Sequence, residues 1–403
     1  MTLSAPLITM LIGCFLFAGV LLTKSSRRFG VPGLVLYLAL GIFIGNGRMP
    51  YDFVYDYPEF TLSCSNLALA LILFIGGLET SYAHLKPIMG RGLALSTAGV
   101  ILTAGLVAVF VHLVFGFSYV EGLLIGSVLS STDAAAVFSI LESRQLKLRE
   151  HISETLELES GTNDPMAFFL TTMFTGLLVD PSSGLADWGV LFLKEMAIGL
   201  AAGLLLGAGI VWVLSRASLT SKGMYPVLLL SIVSFGIGLV TYFHGNVLLA
   251  MYVAGVVTGT RKDSLHGWSE TYLFFKSISW LMEIGLFIVL GLQVFPHSIW
   301  PYVPQALLIS LFLILVARPV GVFLSLSPFR TSFRKKVFVS WVGLRGATPI
   351  VFSLIPLIAR VSVADVLFNT VFAVVLISVM VQGTTLGWLA GKLRLLNGGS
   401  GNG

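Results

Sequence analysis

Thirteen apolar segments, each long enough to cross a bilayer, follow one another along this sequence. They are centred near residues 14, 39, 70, 102, 130, 166, 200, 235, 253, 282, 312, 347 and 377. Hydrophobic types make up 56% of the 403 residues, charged types make up 11%, and the mean hydropathy is +0.95. Because about 20 apolar residues span the hydrocarbon core as a helix, this pattern predicts an all-α polytopic membrane protein with about thirteen transmembrane helices.

The basic residues are concentrated in every second loop. These loops hold 18 of the 24 lysines and arginines, whereas the alternate loops are mainly acidic. By the positive-inside rule, the amino terminus is predicted to lie outside and the carboxyl terminus in the cytoplasm, a parity that thirteen spans satisfy. The net charge of +5 is therefore a topogenic signal. The predicted partner is the lipid bilayer, since no clustered basic face indicates a nucleic acid.

Two spans are predicted to be broken near mid-membrane. The fifth contains Ser130-Ser131-Thr132-Asp133, four poor helix formers whose side chains compete for backbone hydrogen bonds. The twelfth has Gly343, Gly346 and Pro349 around Arg345. Transporters expose such broken ends to their ions. The two spans are seven apart and so cross in opposite directions, which predicts two inverted six-helix repeats.

The sixth span carries Asn163 and Asp164 about 15 Å from its charged end, near the middle of a bilayer. A carboxylate at that depth is costly to keep ionised, so it is neutral, paired with a cationic group, or visited by a cation. Ser160 shares the helix face of Asp164. This span is the strongest candidate for an ion site.

The arginine of the twelfth span cannot lose its proton and should be paired. Its candidate partners are Asp133, Asp164 and Glu159. A pair with Asp164 would fill the ion site with a fixed positive charge. We therefore predict that Arg345 pairs with Glu159.

The sequence leaves two possible roles open for each of two further acidic residues. Glu79 lies near the predicted cytoplasmic edge of the third span, as an interfacial charge or a pathway residue. Glu283 lies near the middle of the tenth span, as a hydrogen-bonded structural acid or a pathway residue.

Three motifs together resemble the monovalent cation:proton antiporter superfamily: Thr132-Asp133, residues 159–164 (ESGTND) and residues 343–347 (GLRGA). The resemblance covers nearly the whole chain in span number, topology and motif order. It points to the NhaP and NHE-type branch, and above all to bacterial potassium/proton antiporters of the CvrA type. Their segments look much like STDAAAVFS and ESGTNDPMA of this sequence.

The resemblance implies an NhaA-like fold in the bacterial inner membrane, and a homodimer in which a six-helix core moves against a dimerisation domain. It implies that Asp164 binds the ion, that Ser160 and the Thr132 region add oxygen ligands, and that Asn163 holds the site together. The glutamate and arginine pair of similar proteins maps onto Glu159 and Arg345.

The sequence departs from similar antiporters at Ile75, where they place an acid. A carboxylate of the site is then missing, or Glu79 or Glu283 serves instead. CvrA-type proteins also continue into a cytoplasmic regulatory domain, so the sequence is expected to be a truncated one. We take residues 1–396 as the transmembrane antiporter domain, with core and dimerisation parts interleaved, and 397–403 as a flexible tail or an artificial addition.

The predicted function is antiport of a proton against a monovalent cation, K⁺ and/or Na⁺, by alternating access, for pH and cation homeostasis. Because Asn163 is neutral, Asp164 would hold one proton or one cation, which predicts electroneutral exchange. We expect neither a cofactor nor enzymatic activity. A passive cation channel and an ion-coupled solute symporter are alternatives. A remote one is an intramembrane aspartyl protease using Asp133 and Asp164, although the motif context of such proteases is absent.

Overall fold

The computed structural model describes residues 5–29, 33–45, 55–143, 146, 148, 151–182 and 184–396. Within these residues the secondary structure is helical, apart from one isolated antiparallel bridge between Leu148 and Leu396. The all-α prediction is confirmed. The tail predicted for 397–403 lies outside the described residues.

The amino-terminal half of the described chain contains nine α-helices. They are α1 (Ala5–Phe29), α2 (Gly33–Ile44), α3 (Pro58–Glu79), α4 (Tyr82–Leu85), α5 (Met89–Ala94), α6 (Val100–Phe115), α7 (Tyr119–Ser130), α8 (Ala134–Ser143) and α9 (Ile152–Val179). The π-helical turn Leu95–Gly99 joins α5 to α6.

The carboxyl-terminal half of the described chain adds ten more. They are α10 (Leu185–Arg216), α11 (Met224–Tyr242), α12 (Val247–Thr260), α13 (Trp268–Leu292), α14 (Pro296–Ile299), α15 (Val303–Phe312), α16 (Arg318–Ser325), α17 (Phe333–Trp341), α18 (Ala347–Ile358) and α19 (Ala364–Lys392). A second π-helical turn, Leu313–Ala317, joins α15 to α16.

Seven helical stretches in the described residues are long and apolar enough to cross a membrane. They are Pro58–Glu79, Met89–Phe115, Ala186–Arg216, Met224–Tyr242, Trp268–Leu292, Pro296–Ser325 and Ala364–Lys392. Shorter apolar helices accompany them, including α2, α7, α12 and α18. All thirteen predicted span centres fall within helices. The chain is therefore a multi-pass membrane protein, and the number of thirteen crossings stays a prediction.

Local sequence explains where some helices begin and end. Helix α6 stops at Gly116, which takes a left-handed conformation with φ of +75° that glycine adopts without strain. Ser118 then caps α7 by accepting from the Glu121 amide at 3.3 Å, while the Glu121 carboxylate accepts from the Ser118 amide at 2.8 Å. This reciprocal capping box fixes the start of the first broken span.

Both predicted helix breaks are confirmed. Helix α7 ends at Ser130 and α8 begins at Ala134, while α17 ends at Trp341 and α18 begins at Ala347. The two breaks touch, because the Asp133 amide donates to the Leu344 carbonyl at 2.9 Å. The two π-helical turns lie in the spans that precede the two broken ones, so they recur with the same offset. This repetition agrees with the predicted inverted repeat.

The helices pack in two groups. In the first group, α3 and α10 pack along α12, and α13 packs along α2 and α3. In the second group, α7 packs on α6 and α9, and α19 packs on α15 and α18. Helices α9 and α18 of the second group face α12 and α3 of the first. The predicted division into core and dimerisation parts stays a proposal.

Glycines bring helices of one group into backbone contact. A side-chain carbon at these positions would overlap the carbonyl of the neighbouring helix, so the close approach requires glycine. The contacts pair Gly255 of α12 with the Phe74 carbonyl of α3, Gly41 of α2 with the Ile288 carbonyl of α13, and Gly126 of α7 with the Ala104 carbonyl of α6.

Candidate functional site

The carboxylate of Asp164 lies where the two helix breaks meet. The side chain is 4% exposed. The Ser131 hydroxyl, from the first break, donates to Oδ1 at 2.5 Å. The Thr348 hydroxyl, from the first turn after the second break, donates to Oδ2 at 3.4 Å. Each carboxylate oxygen is therefore held by a different half of the chain.

The other residues predicted for the ion site lie around this carboxylate. The Asn163 amide nitrogen donates to the Thr132 hydroxyl at 2.6 Å, with both side chains buried. The Ser160 hydroxyl accepts from the Ala134 amide at 3.2 Å. Helix α9 is thus joined to the first break by two hydrogen bonds within the turn that precedes Asp164. The structure brings Asp164, Asn163, Ser160 and Thr132 together, and their role in ion binding stays a prediction.

Asp133 has a structural role where the two helix breaks meet. Its carboxylate accepts from the Ala136 amide at 3.0 Å and so caps the amino terminus of α8. A side-chain carbon at Gly346 would overlap this carboxylate, so the second break approaches it as closely as a glycine allows. Asp133 also lines the cavity described below.

The predicted pair between Glu159 and Arg345 is wrong. Glu159 instead forms an ion pair with Arg318 of α16, with 2.6 Å between Oε1 and Nη1, and both side chains are almost fully buried. Arg318 follows the second π-helical turn, and α16 packs on the first π-helical turn, which itself packs on α9. This packing places the guanidinium beside Glu159. Neutralising one buried charge with another is what the low-dielectric interior requires.

Arg345 finds backbone partners instead. Its Nε donates to the Leu129 carbonyl at 2.9 Å, and Nη1 donates to the Gly343 carbonyl. Its amide donates to the Ser378 hydroxyl at 3.0 Å. The last carbonyls of α7 have no helical partner because the helix stops there, and they carry the negative end of the helix dipole. A guanidinium is a suitable group for that position.

A cavity of about 150 Å³ opens beside Asp164. Its described lining includes Ser160, Asp164 and Thr348 from the second helix group. Opposite them, α3, α12 and α13 of the first group contribute Glu79, Tyr252, Lys276, Glu283 and others. This volume accommodates several water molecules. Asp164 therefore reaches a cavity, and Arg345 does not block it.

The cavity also contains the position at which similar antiporters place an acid. Ile75 lines it as a buried apolar side chain. Glu79 and Glu283, the two predicted substitutes, line the same cavity. Glu79 accepts from the Tyr272 hydroxyl at 2.8 Å and lies 3.7 Å from the Lys276 ammonium group, about 40% exposed. Glu79 is thus a partly exposed residue that already has two polar partners. A role in transport for Glu79 or Glu283 stays a proposal.

The sequence reasoning missed several residues of this region. Arg318 was detectable as the lone charged side chain within the eleventh apolar segment. Ser131 belonged to the polar cluster, although nothing in the sequence singled it out as the partner of Asp164. Thr348 and Tyr252 carried no signal, because only the packing of distant helices brings them to α9.

Gly161 fits against the ring of Tyr252 on α12, and a Cβ placed there would lie 2.6 Å from Cε2. We expect Gly161→Ala to destabilise the protein by about 1–3 kcal/mol, since the ring and α9 have to move apart. Thermal unfolding of the purified protein measures this loss. Gly105→Ala is the control, because a Cβ there meets nothing within 4 Å. Equal unfolding temperatures for the two variants would contradict the close contact.

Comparison with known proteins agrees with this architecture. The model of the family described as "Sodium/hydrogen exchanger, transmembrane" matches residues 14–392. The K(+)/H(+) antiporter NhaP2 of Shewanella sp. (strain ANA-3) is 38% identical over 386 residues, which are 93% of this chain and 65% of that protein. The K(+)/H(+) antiporter NhaP of Alkalimonas amylolytica is 35% identical over 391 residues, which are 96% of this chain and 67% of that protein. The chain thus spans about two thirds of the length of these relatives.

The fold also matches a solved structure. The sodium proton antiporter MjNhaP1 from Methanocaldococcus jannaschii at pH 8 superimposes with a TM-score of 0.81, covering 96% of this chain and 98% of that one, at 21% identity. At that identity the superposition concerns the fold alone. The match over residues 14–392 and the identities of 35% and 38% establish the wider relationship: the chain belongs to the sodium/hydrogen exchanger family.

Proposed function

We propose that this protein exchanges a proton for a monovalent cation across a bacterial inner membrane by alternating access. The observation that carries the proposal is the position of Asp164. Its buried carboxylate lies at the crossing of two broken helices, is held by a hydroxyl from each, and borders a cavity. Broken helices around an acid at mid-membrane are typical of ion sites in secondary transporters.

The surroundings of this carboxylate suit a hard cation. Hydroxyl oxygens of Ser131, Ser160 and Thr348 and the two oxygens of Asp164 lie together, and such ligands bind alkali cations. A proton on Asp164 removes the negative charge that attracts the cation, and a bound cation repels the proton. The two therefore compete for one carboxylate, and each crosses the membrane only in place of the other. Asn163 and Thr132 fix α9 to the first break, which keeps the ligands in register.

We propose electroneutral exchange. The neighbour of Asp164 in the sequence is the neutral Asn163, whose amide is bonded to Thr132. One carboxylate then carries one proton or one cation per cycle. Movement of an additional charge would couple transport to the membrane potential at about 2.3 kcal/mol per 100 mV.

Topology and assembly complete the proposal. The basic loops support an amino terminus outside and a carboxyl terminus in the cytoplasm. The family resemblance supports a homodimer, with α9 and α18 belonging to the moving core. A role in pH and cation homeostasis follows from the proposed exchange.

The experiment uses purified protein in proteoliposomes with an imposed pH gradient and a fluorescent pH probe. Sodium, potassium, lithium and rubidium are added in turn, with protein-free liposomes as the control. We expect at least one of them to cause proton movement. Potassium is the first candidate, since the bacterial relatives are named K(+)/H(+) antiporters, whereas the archaeal protein of known structure is named a sodium proton antiporter.

The same preparation separates the alternatives. A passive channel would carry current with no proton gradient present. A symporter would move protons or cations only after an organic solute is added. Either result, or no proton movement with any of the four cations, would contradict antiport.

A further inference from the structure

The cavity beside Asp164 extends along α9 to a second carboxylate. Glu157 lies three residues before Ser160 and seven before Asp164, so the three side chains share one helix face. All three line the cavity. At 1.5 Å per residue, Glu157 is about 10 Å nearer than Asp164 to the end of α9 that is proposed to be cytoplasmic.

A buried hydroxyl faces the same space from the other helix group. Tyr252 of α12 is 3% exposed and lines the cavity. Its oxygen makes no hydrogen bond with good geometry to any described residue. Glu157 of α9 and Thr80, which follows α3, are its polar neighbours. Because a buried hydroxyl without a partner costs about 1–3 kcal/mol, this position favours a water molecule or another species to which the phenol can donate.

The charges around Glu157 are mainly negative. The titratable and charged groups that face it are Glu154 and Asp164 of α9, Glu79 at the end of α3, Asp133 before α8, Tyr252 of α12, and Lys276 and Glu283 of α13. Among the described lining residues, five carboxylates accompany a single ammonium group, that of Lys276. Carboxylates sharing a small low-dielectric space are not all ionised at once. The cavity is therefore suited to hold protons.

We propose that Glu157 is a second proton-binding residue, which passes protons through cavity water between Asp164 and the cytoplasmic side, with the Tyr252 hydroxyl as a hydrogen-bond donor to that water. When a cation displaces the proton of Asp164, a water molecule accepts it, and Glu157 takes a proton from the water chain. Glu157 later releases that proton to the cytoplasm. Tyr252 keeps its own proton throughout. This inference rests on the proposed exchange. It assigns Glu157 to the transfer of protons and not to the binding of the cation.

The test separates proton transfer from cation binding. In proteoliposomes, radioactive rubidium is followed in two modes: exchange against protons, and exchange against unlabelled rubidium at equal pH on both sides. The second mode needs no net proton movement. We expect Glu157→Gln to slow rubidium–proton exchange at least about tenfold and to change its pH profile. Rubidium–rubidium exchange should stay within about twofold of the unsubstituted protein.

Further variants control for damage to the fold. Glu157→Asp keeps the carboxylate and should restore much of the rubidium–proton exchange. Tyr252→Phe removes only the hydroxyl and should shift the pH profile in the same direction as Glu157→Gln. Asp263→Asn, at an exposed position between α12 and α13 and outside the described cavity lining, should behave like the unsubstituted protein.

Two outcomes would overturn this inference. In one, Glu157→Gln leaves both modes unchanged. In the other, both modes fall together and Glu157→Asp restores neither, which indicates a structural role. Failure of the proposed function gives a different result, since the unsubstituted protein would then show no proton exchange with sodium, potassium, lithium or rubidium.

Discussion

Replacing Asp164 by asparagine is expected to reduce cation-dependent proton movement in proteoliposomes to the level of protein-free liposomes. The amide has nearly the shape of the carboxylate: its oxygen still accepts from one of the hydroxyls of Ser131 and Thr348, and its NH2 group can donate to the oxygen of the other. It can neither bind a transported proton nor supply a negative charge to a cation. Both substrates therefore lose their common site, and proton movement with each of the four cations measures the loss.

The matching control neutralises an acid that lies away from the crossing. Asp187 is exposed at the start of α10, and Asp187→Asn should keep the activity of the unsubstituted protein. Thermal unfolding of both variants shows that they are folded. Substantial activity in folded Asp164→Asn would remove Asp164 from the ion site.

Replacing Arg318 by leucine should cause the largest loss of stability, about 3–5 kcal/mol. The substitution leaves the Glu159 carboxylate buried without its guanidinium partner. Glu159→Leu should destabilise the protein for the reciprocal reason. The double variant, with leucine at both positions, removes both charges and should recover most of the loss. Thermal unfolding of the purified variants gives these differences.

A second double-mutant cycle, with Arg345→Leu in place of Arg318→Leu, provides the comparison. Arg345 is bonded to the carbonyls of Leu129 and Gly343, so its loss should add to that of Glu159→Leu with much less coupling. Stronger coupling of Glu159 to Arg345 than to Arg318 would contradict the ion pair seen in the structure.

The sequence was sufficient to predict the helical class, the two breaks and the helix face that Ser160 shares with Asp164, whereas the places of Asn163 and Thr132 at the site came from the family resemblance. The first three follow from local information. Hydropathy defines the spans, the run Ser130–Asp133 cannot continue a helix easily, and the spacing from Ser160 to Asp164 puts both on one face.

The partner of Glu159 could not be predicted in the same way. Counting residues along a span gives the depth of a side chain but not the direction in which it points relative to other spans. At a given depth, Arg318 and Arg345 were both available to Glu159. The choice depends on which helix packs beside α9, and here α16 and the π-helical turns decide it. The same limit applies to Tyr252, which reaches the cavity only because α12 packs against α9.

The glycine contacts described above have a mechanical consequence. They join backbones within each helix group, as between Gly255 and Phe74 or between Gly126 and Ala104. Such pairs resist sliding, because a small shift drives carbonyls into one another. Between the groups, Gly161 meets the flat ring of Tyr252, and the neighbouring surface is the cavity. Sliding of one helix group past the other should therefore meet the least resistance at this surface between the groups. The hydroxyls that donate to Asp164 belong to Ser131 and Thr348, both in the second helix group, so the proposed movement between the groups would carry a bound ion together with these ligands.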